Sequence, residues 1–409
     1  MKRVLFSMVL LMAATLSFAQ VKAVKEAKSI AGETNPDFGK AEQLINGALK
    51  DTETKNDAAT WDVAGFIQKR INEKQMESAY LKKPYDTIKV YSSVLNMYKY
   101  YLKCDELAQV PDEKGKIKNR YRKANATILL AERPNLINGG IHYFNQDKNE
   151  EALSFFAMYV DASSNPIFEK ENLLQIDTIL PQVAYYAALT AAKMENYPAV
   201  LKYAPYAADD KEVGKYAMEF VSTAYKIEAK NEDDTLKWVA SLKEGVQKYS
   251  DHPFFFGHLI DYYSNTNKYD EAMAFADEML QKYPDNAFYL YVKGYLHHNL
   301  KEYDNAINYY KKTTVADPNY AEAYSNLGLI YVLKAQEFAD SATVDVNSPK
   351  YAQEQEIIKK FYEEAKPCYE KARELKPQQQ DLWIQGLYRI YYNLNMGTEF
   401  EEIEKLMGI

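Results

Sequence analysis

The stretch Lys268-Tyr-Asp-Glu-Ala272 returns 34 residues later, nearly unchanged, as Glu302-Tyr-Asp-Asn-Ala306. The interval holds on either side of it. Tyr269 and Tyr303, Ala272 and Ala306, Pro284 and Pro318, and Gly294 and Gly328 all stand 34 apart. A period of 34 with small, aromatic and proline residues at fixed places describes a helix–turn–helix unit. One such unit cannot bury its own apolar face, so consecutive units must stack. The spacing therefore predicts an all-α chain, an α-solenoid of stacked antiparallel helix pairs.

The composition agrees. Gly is scarce, 15 of 409 residues, while Tyr reaches 36. Tyrosine suits thin helical layers, because its ring packs inside while its hydroxyl reaches water. The formal net charge of −8 argues against nucleic acid and anionic membranes as partners of the chain as a whole. Met1-Lys-Arg3 is a short basic head, Val4 to Phe18 is mostly apolar, and Ser17-Phe-Ala19 ends in small-x-small form. That layout reads as a secretory signal peptide over residues 1–19. Its apolar core is too short to span a bilayer, and no other run approaches membrane length. With no cysteine before Cys104, a lipid-modified cysteine after the signal is excluded. The expectation is a soluble protein of the periplasm or exterior, without an acyl anchor and without membrane insertion. Cys104 and Cys368 are the two cysteines, too few for a disulfide framework, and are expected to pack as unpaired apolar groups.

The periodic residues resemble the tetratricopeptide repeat. Numbered from Ala287, a unit puts Leu290, Gly294, His297, Ala306, Tyr310, Thr313 and Pro318 at the repeat's positions 4, 8, 11, 20, 24, 27 and 32. Numbered from Pro253, another places Phe256, Leu259, Tyr263, Ala272, Ala276, Met279 and Pro284. Small residues at 8 and 20 let the two helices approach, and proline at 32 ends the second. A third unit opens at Ala321 with Tyr324, Leu327, Gly328 and Tyr331. Its second half, Ala365, Tyr369, Ala372 and Pro377, arrives about 25 residues late. An insertion near 334–360 is therefore expected between its helices, with a loop-like stretch at Asp340–Pro349 and a helix from Tyr351 to Leu375.

Outside this region the pattern thins. The expected layout is a signal over 1–19, a degenerate helical region over 20–130, degenerate repeats over 131–252, clear repeats over 253–379 and capping helices over 380–409. Starts at Arg133 and Leu180 satisfy part of the consensus. Trp61 to Gly65 resembles a first helix, and the spacing of Tyr91, Val94, Leu95, Tyr98, Tyr101 and Leu102 gives an amphipathic one.

Catalytic signatures are missing from the sequence. It holds five histidines, no His-Glu-x-x-His, no Cys-x-x-Cys, no phosphate-cradling glycine loop and no Gly-x-Ser-x-Gly. No enzyme activity, cofactor or metal is expected. The resemblance instead implies a partner-binding groove lined by the first helices. Carried onto this chain, it selects Phe254, Asp261, Phe288, Tyr291, Tyr295, His298 and Asn299, with His258 beside them. Family members that clamp an acidic chaperone C-terminus need lysine at position 5 and asparagine at 9. Here position 5 is Gly257, Tyr291 or Ser325, and position 9 is Asp261, Tyr295 or Leu329, so that partner is excluded. The expected function is a non-catalytic protein-interaction scaffold of the bacterial envelope that binds a protein or peptide segment. A glycan-binding or uptake accessory protein is the alternative, and an enzyme with an unrecognised site a further one. Four triplets, Asp86-Thr-Ile, Asp177-Thr-Ile, Asp234-Thr-Leu and Asp340-Ser-Ala, resemble a bacterial O-glycosylation acceptor, with Ser341 the foremost candidate.

Overall fold

A computed structural model describes residues 20–111, 113–343 and 345–409. The expected signal at 1–19 lies outside the described residues. The described chain holds helices and turns and no strand. It divides into two compact units, one ending at Ser241 and the other covering Leu242–Ile409.

Unit 1 contains α1 (residues 20–32), α2 (Phe38–Ala48), α3 (Ala58–Tyr80), α4 (Thr87–Leu107), α5 (Arg122–Phe144) and α6 (Asn149–Ser163). It continues through α7 (Leu173–Ile176), α8 (Leu180–Lys193), α9 (Tyr197–Tyr203) and α10 (Gly214–Glu228). The division between the units falls within α11 (Glu232–Lys248). Unit 2 contains α12 (Pro253–Asn265), α13 (Tyr269–Lys282), α14 (Ala287–Asn299), α15 (Tyr303–Ala316), α16 (Ala321–Ser341), α17 (Pro349–Leu375), α18 (Ile384–Asn393) and α19 (Gly397–Met407). Within each unit helices pack mainly on their chain neighbours, as stacked pairs require.

Local chemistry sets the ends of these helices. The side chains of Asp37, Asp57, Asp86, Asn286 and Ser348 accept first-turn amides at the starts of α2, α3, α4, α14 and α17. The tight turns share one form. Asp147, Glu195, Asn267, Lys301 and Asn395 each adopt a left-handed backbone two residues before a second helix. The next amide then bonds five residues back: Lys268 N to Tyr263 O at 2.8 Å, Glu302 N to His297 O at 2.9 Å and Met396 N to Tyr391 O at 2.9 Å. This is the Schellman closure, which satisfies carbonyls left open at a helix C-terminus.

Inside the pairs, a glycine of the first helix receives an aromatic ring of the second. A Cβ on Gly294 would stand 2.8 Å from the ring of Tyr310, and one on Gly140 would stand 2.3 Å from that of Phe156. Both couples are separated by 16 residues in the chain. The same contact joins Gly328 to Tyr369 and Gly65 to Tyr101, although the chain between them is much longer. The insertion in the third repeat thus leaves the contact intact and lengthens the hairpin. α16 and α17 run for 21 and 27 residues, against 13 and 14 for α14 and α15. The stretch expected as a loop at Asp340–Pro349 shrinks to a short tip, because α16 continues to Ser341 and α17 begins at Pro349. Glu354 closes that tip by accepting the Thr343 amide at 2.7 Å and pairing with Lys350 at 3.1 Å.

Unit 1 holds a second long hairpin that the 34-residue spacing conceals. α3 and α4 run for 23 and 21 residues. Asn72 ties them by donating to the Val90 carbonyl at 3.1 Å and to Ser93 Oγ at 3.2 Å. The next pair also departs from the expected register. α5 begins at Arg122, well before Arg133, and carries Pro134 inside it. Arg133 is 6% exposed and reaches Asp177 at 2.6 Å, Ser163 Oγ at 2.8 Å and the face of Tyr159 at 3.5 Å. That network anchors the connection containing α7 to the α5–α6 pair.

Candidate partner-binding face

In unit 2 the first helices crowd together. α12 touches α14, and α16 touches α18. The second helices α13 and α15 are parted by a cleft of about 940 Å³ lined by Leu280, Pro284, Tyr309, Lys312 and Val315. The groove residues expected from the sequence lie on the first helices α12 and α14.

α12 contributes Phe254, His258 and Asp261. The Phe254 and His258 rings meet edge to face at 4.5 Å, and Asp261 is exposed. From α14, Phe288 is half-buried against Phe256, with ring centroids 5.7 Å apart, so much of its surface serves the stack. Tyr291 is committed further. It stacks on Tyr320 at 5.0 Å, touches Tyr310 at 5.7 Å and accepts a hydrogen bond from Asn326 Nδ2 at 2.9 Å. Tyr295 and His298 are half-buried, and Asn299 is exposed. Burial pushes the His298 imidazole below its ordinary pKa, so the ring is neutral at pH 7.

Two polar atoms on this side lack partners. Ser264 Oγ and His298 Nδ1 are shut off from solvent and make no hydrogen bond. They occupy the same repeat position, one on α12 and the other on α14. An unsatisfied buried polar group costs roughly 1–3 kcal/mol. Such groups call for a structural or functional reason.

The face extends onto α18, which the sequence pattern assigns only to capping. A pocket of about 500 Å³ opens between α16 and α18, lined by Leu329, Val332, Tyr369, Gly386, Tyr388, Arg389 and Tyr392. Tyr392 is 67% exposed. Arg389 meets the neutral Gln336 Oε1 at 3.3 Å, and no ion pair to it occurs among the described residues. Tyr388, Arg389 and Tyr392 lie beyond the last clear repeat, so no consensus position points to them. Their one signal in the sequence is the i, i+1, i+4 spacing on a short helix. In the third repeat Val332 is only 3% exposed, Ser325 donates to the Leu382 carbonyl and Glu322 pairs with Lys376. These three serve the stack before they serve a ligand.

Residues 294–334 match the family profile described as a TPR repeat. This stretch carries a tetratricopeptide repeat. Among solved structures, the C-terminal part of a TPR repeat-containing protein from Cytophaga hutchinsonii is 14% identical and covers 65% of this chain and 92% of its own, with a TM-score of 0.40. A TPR repeats protein from Bacteroides fragilis is 15% identical, covering 67% of this chain and 98% of its own at a TM-score of 0.32. The TPR domain of P58(IPK) is 13% identical, covering 93% and 99% at 0.31. None of these superpositions reaches 0.5, and none bears on function. A search of curated proteins returns no match.

Among the described residues, no three His, Cys, Asp or Glu side chains gather to hold a metal ion. No described helix is long and apolar enough to cross a membrane. Cys104 and Cys368 are free and buried, and burial pushes both thiols up to about 12. His297 stacks on Tyr309 at 5.3 Å and meets Glu302 Oε2 at 2.6 Å. The acceptor-like triplets divide. Asp86 caps α4, Asp177 accepts the amides of Ile179 and Leu180, and Asp234 accepts from Lys237. Of the acceptor side chains, Thr178 and Ser341 are exposed, and the Ser341 hydroxyl donates to the Phe338 carbonyl at 2.9 Å at the end of α16.

Proposed function

We propose that unit 2 is a non-catalytic interaction scaffold that takes an extended protein segment along its first-helix face, in the bacterial periplasm or outside the cell. The observation that carries this reading is the exposed Asp261 and Asn299 beside half-buried aromatic rings on two neighbouring first helices. With Phe254, His258 and Tyr295 they form an aromatic and polar strip. Rigid tyrosines of this kind give contact area at low entropic cost. At the far end the pocket holding Tyr388, Arg389 and Tyr392 suits a side chain that combines an apolar body with a carboxylate, since Arg389 lacks an acidic partner. Export rests on the reading of residues 1–19, and Ser341 stands as an exposed candidate position for a glycan.

Selection of displayed random peptides on the full chain tests this reading. Peptides bearing an acidic and an aromatic residue should be enriched. Their affinity should fall at least tenfold for Tyr295→Ala/His298→Ala and for Tyr388→Ala/Arg389→Ala, with helicity unchanged. Tyr291 is left in place because its stacking on Tyr320 is structural. Equal binding by both double variants would remove the proposal.

A further inference from the structure

The tip of the α3–α4 hairpin in unit 1 exposes what a soluble surface usually hides. Tyr80 is 88% exposed, Ile88 59%, Leu81 51%, Tyr85 50% and Met76 46%. Every residue from 80 to 86 is exposed. Contiguous apolar exposure of this kind marks a contact surface. Lysines interleave it: residues 74–89 hold Lys74, Lys82, Lys83 and Lys89 against Glu77 and Asp86, in a chain whose total charge is −8. Both acids are already engaged. Glu77 pairs with Lys74 at 2.8 Å, and Asp86 accepts the Lys89 amide at 3.1 Å as the cap of α4. The ammonium groups of Lys82, Lys83 and Lys89 meet no carboxylate among the described residues.

The tip of the other long hairpin has the opposite character. Its tip carries Asp340 and Asp345 ahead of Lys350, and Val346 is its one large exposed apolar side chain among the described residues. Elongation of a hairpin therefore does not by itself bring aromatics and lysines to the surface.

We infer that the α3–α4 tip docks peripherally on an anionic phospholipid surface, with Tyr80, Leu81, Tyr85 and Ile88 entering the headgroup region and Lys82, Lys83 and Lys89 facing the phosphates. Tyrosine favours the membrane–water boundary, and lysine stems lie along apolar material while their charges stay wet. A protein partner would have to present a pocket shaped around a protruding tip, whereas a lipid surface deforms around it. The acidity of the chain does not forbid the contact. Asn72 is the last buried residue of α3, and the helix then continues for eight residues to Tyr80. At 1.5 Å per residue the tip stands about 12 Å beyond the packed part of the hairpin. The Debye length at physiological salt is about 8 Å, so repulsion from the packed body is screened at that distance.

Co-sedimentation of the full chain with vesicles tests the inference. The protein should pellet with vesicles of phosphatidylcholine mixed with phosphatidylglycerol at least tenfold more than with phosphatidylcholine alone, and the excess should vanish in 1 M salt, where screening shortens to about 3 Å. Tyr80→Ser/Leu81→Ser/Tyr85→Ser and Lys82→Glu/Lys83→Glu should each lower the partitioning at least tenfold. These side chains are exposed, so both variants should keep the wild-type melting curve. Unbound wild-type protein would overturn the inference, and a partner protein would then be the occupant to seek. Undiminished binding by both variants would equally overturn it, and would place the contact elsewhere, in residues 1–19 for instance.

Discussion

Replacement of Gly386 by alanine sets two effects of opposite sign against each other. The Tyr369 ring lies between Gly386 of α18 and Gly328 of α16. An added Cβ at Gly386 would stand 2.2 Å from the ring, and one at Gly328 2.6 Å. Tyr369 is 6% exposed, so the ring has no open side into which to retreat. Overpacking of this kind costs about 1–3 kcal/mol. Alanine recovers up to about 1 kcal/mol of helix propensity over glycine. The net expectation for Gly386→Ala is a loss of about 1–2 kcal/mol. Gly257, inside α12, is the control. A Cβ there meets only Phe288 Cζ, at 3.8 Å, an ordinary contact. Gly257→Ala should therefore stabilise by as much as about 1 kcal/mol. For a unit of this size each kcal/mol moves the melting temperature by about 2–4 °C. Thermal unfolding followed by circular dichroism and calorimetry should show Gly386→Ala melting about 2–8 °C low and Gly257→Ala at or above wild type. In a Tyr369→Leu background the cost of Gly386→Ala should shrink, because residues in contact are not additive. A Gly386→Ala protein as stable as Gly257→Ala would refute the packing argument.

Two other outcomes follow from unit 1 and from the thiols. Burial alone would raise the Asp177 carboxyl, but hydrogen bonds from Arg133 and Tyr159 outweigh it and hold the group below the usual aspartate value. A depressed carboxylate adds stability that is present above its unfolded pKa of about 3.9 and is lost as pH falls through the folded value. Asp177→Asn should thus destabilise unit 1 at neutral pH, by about 3 kcal/mol, because it leaves Arg133 buried without its counter-charge. It should also flatten the acid limb of a stability–pH curve, and an unchanged acid limb would count against the network. With both thiols raised to about 12, Cys104 and Cys368 should resist a disulfide-exchange reagent in the native protein at pH 8 and react promptly in denaturant. Fast native labelling of either one would contradict the burial.

The helical class and the pairing of the helices from Pro253 to Ala316 were legible from the chain alone. Pro253, Pro284, Pro318, Gly294 and Ala306 act through short-range rules: a proline opens or ends a helix, and a small residue admits its neighbour. Such rules repeat at a constant interval, so a period reveals them. The α3–α4 pair obeys the same packing rule, glycine against ring, yet Gly65 and Tyr101 are separated by a longer stretch of chain. Sequence interval and spatial contact part company once a hairpin lengthens, and only the folded chain brings the two residues together. The proposed binding face divides in the same way. Phe254, Tyr295 and His298 were reachable through repeat positions. That Tyr291 spends its ring on Tyr320, that Ser264 and His298 keep unpartnered atoms, and that Tyr388, Arg389 and Tyr392 line a pocket on the helix expected to cap were not. Exposure and hydrogen-bond satisfaction belong to the neighbours packed around a side chain, and those neighbours come from helices tens of residues away.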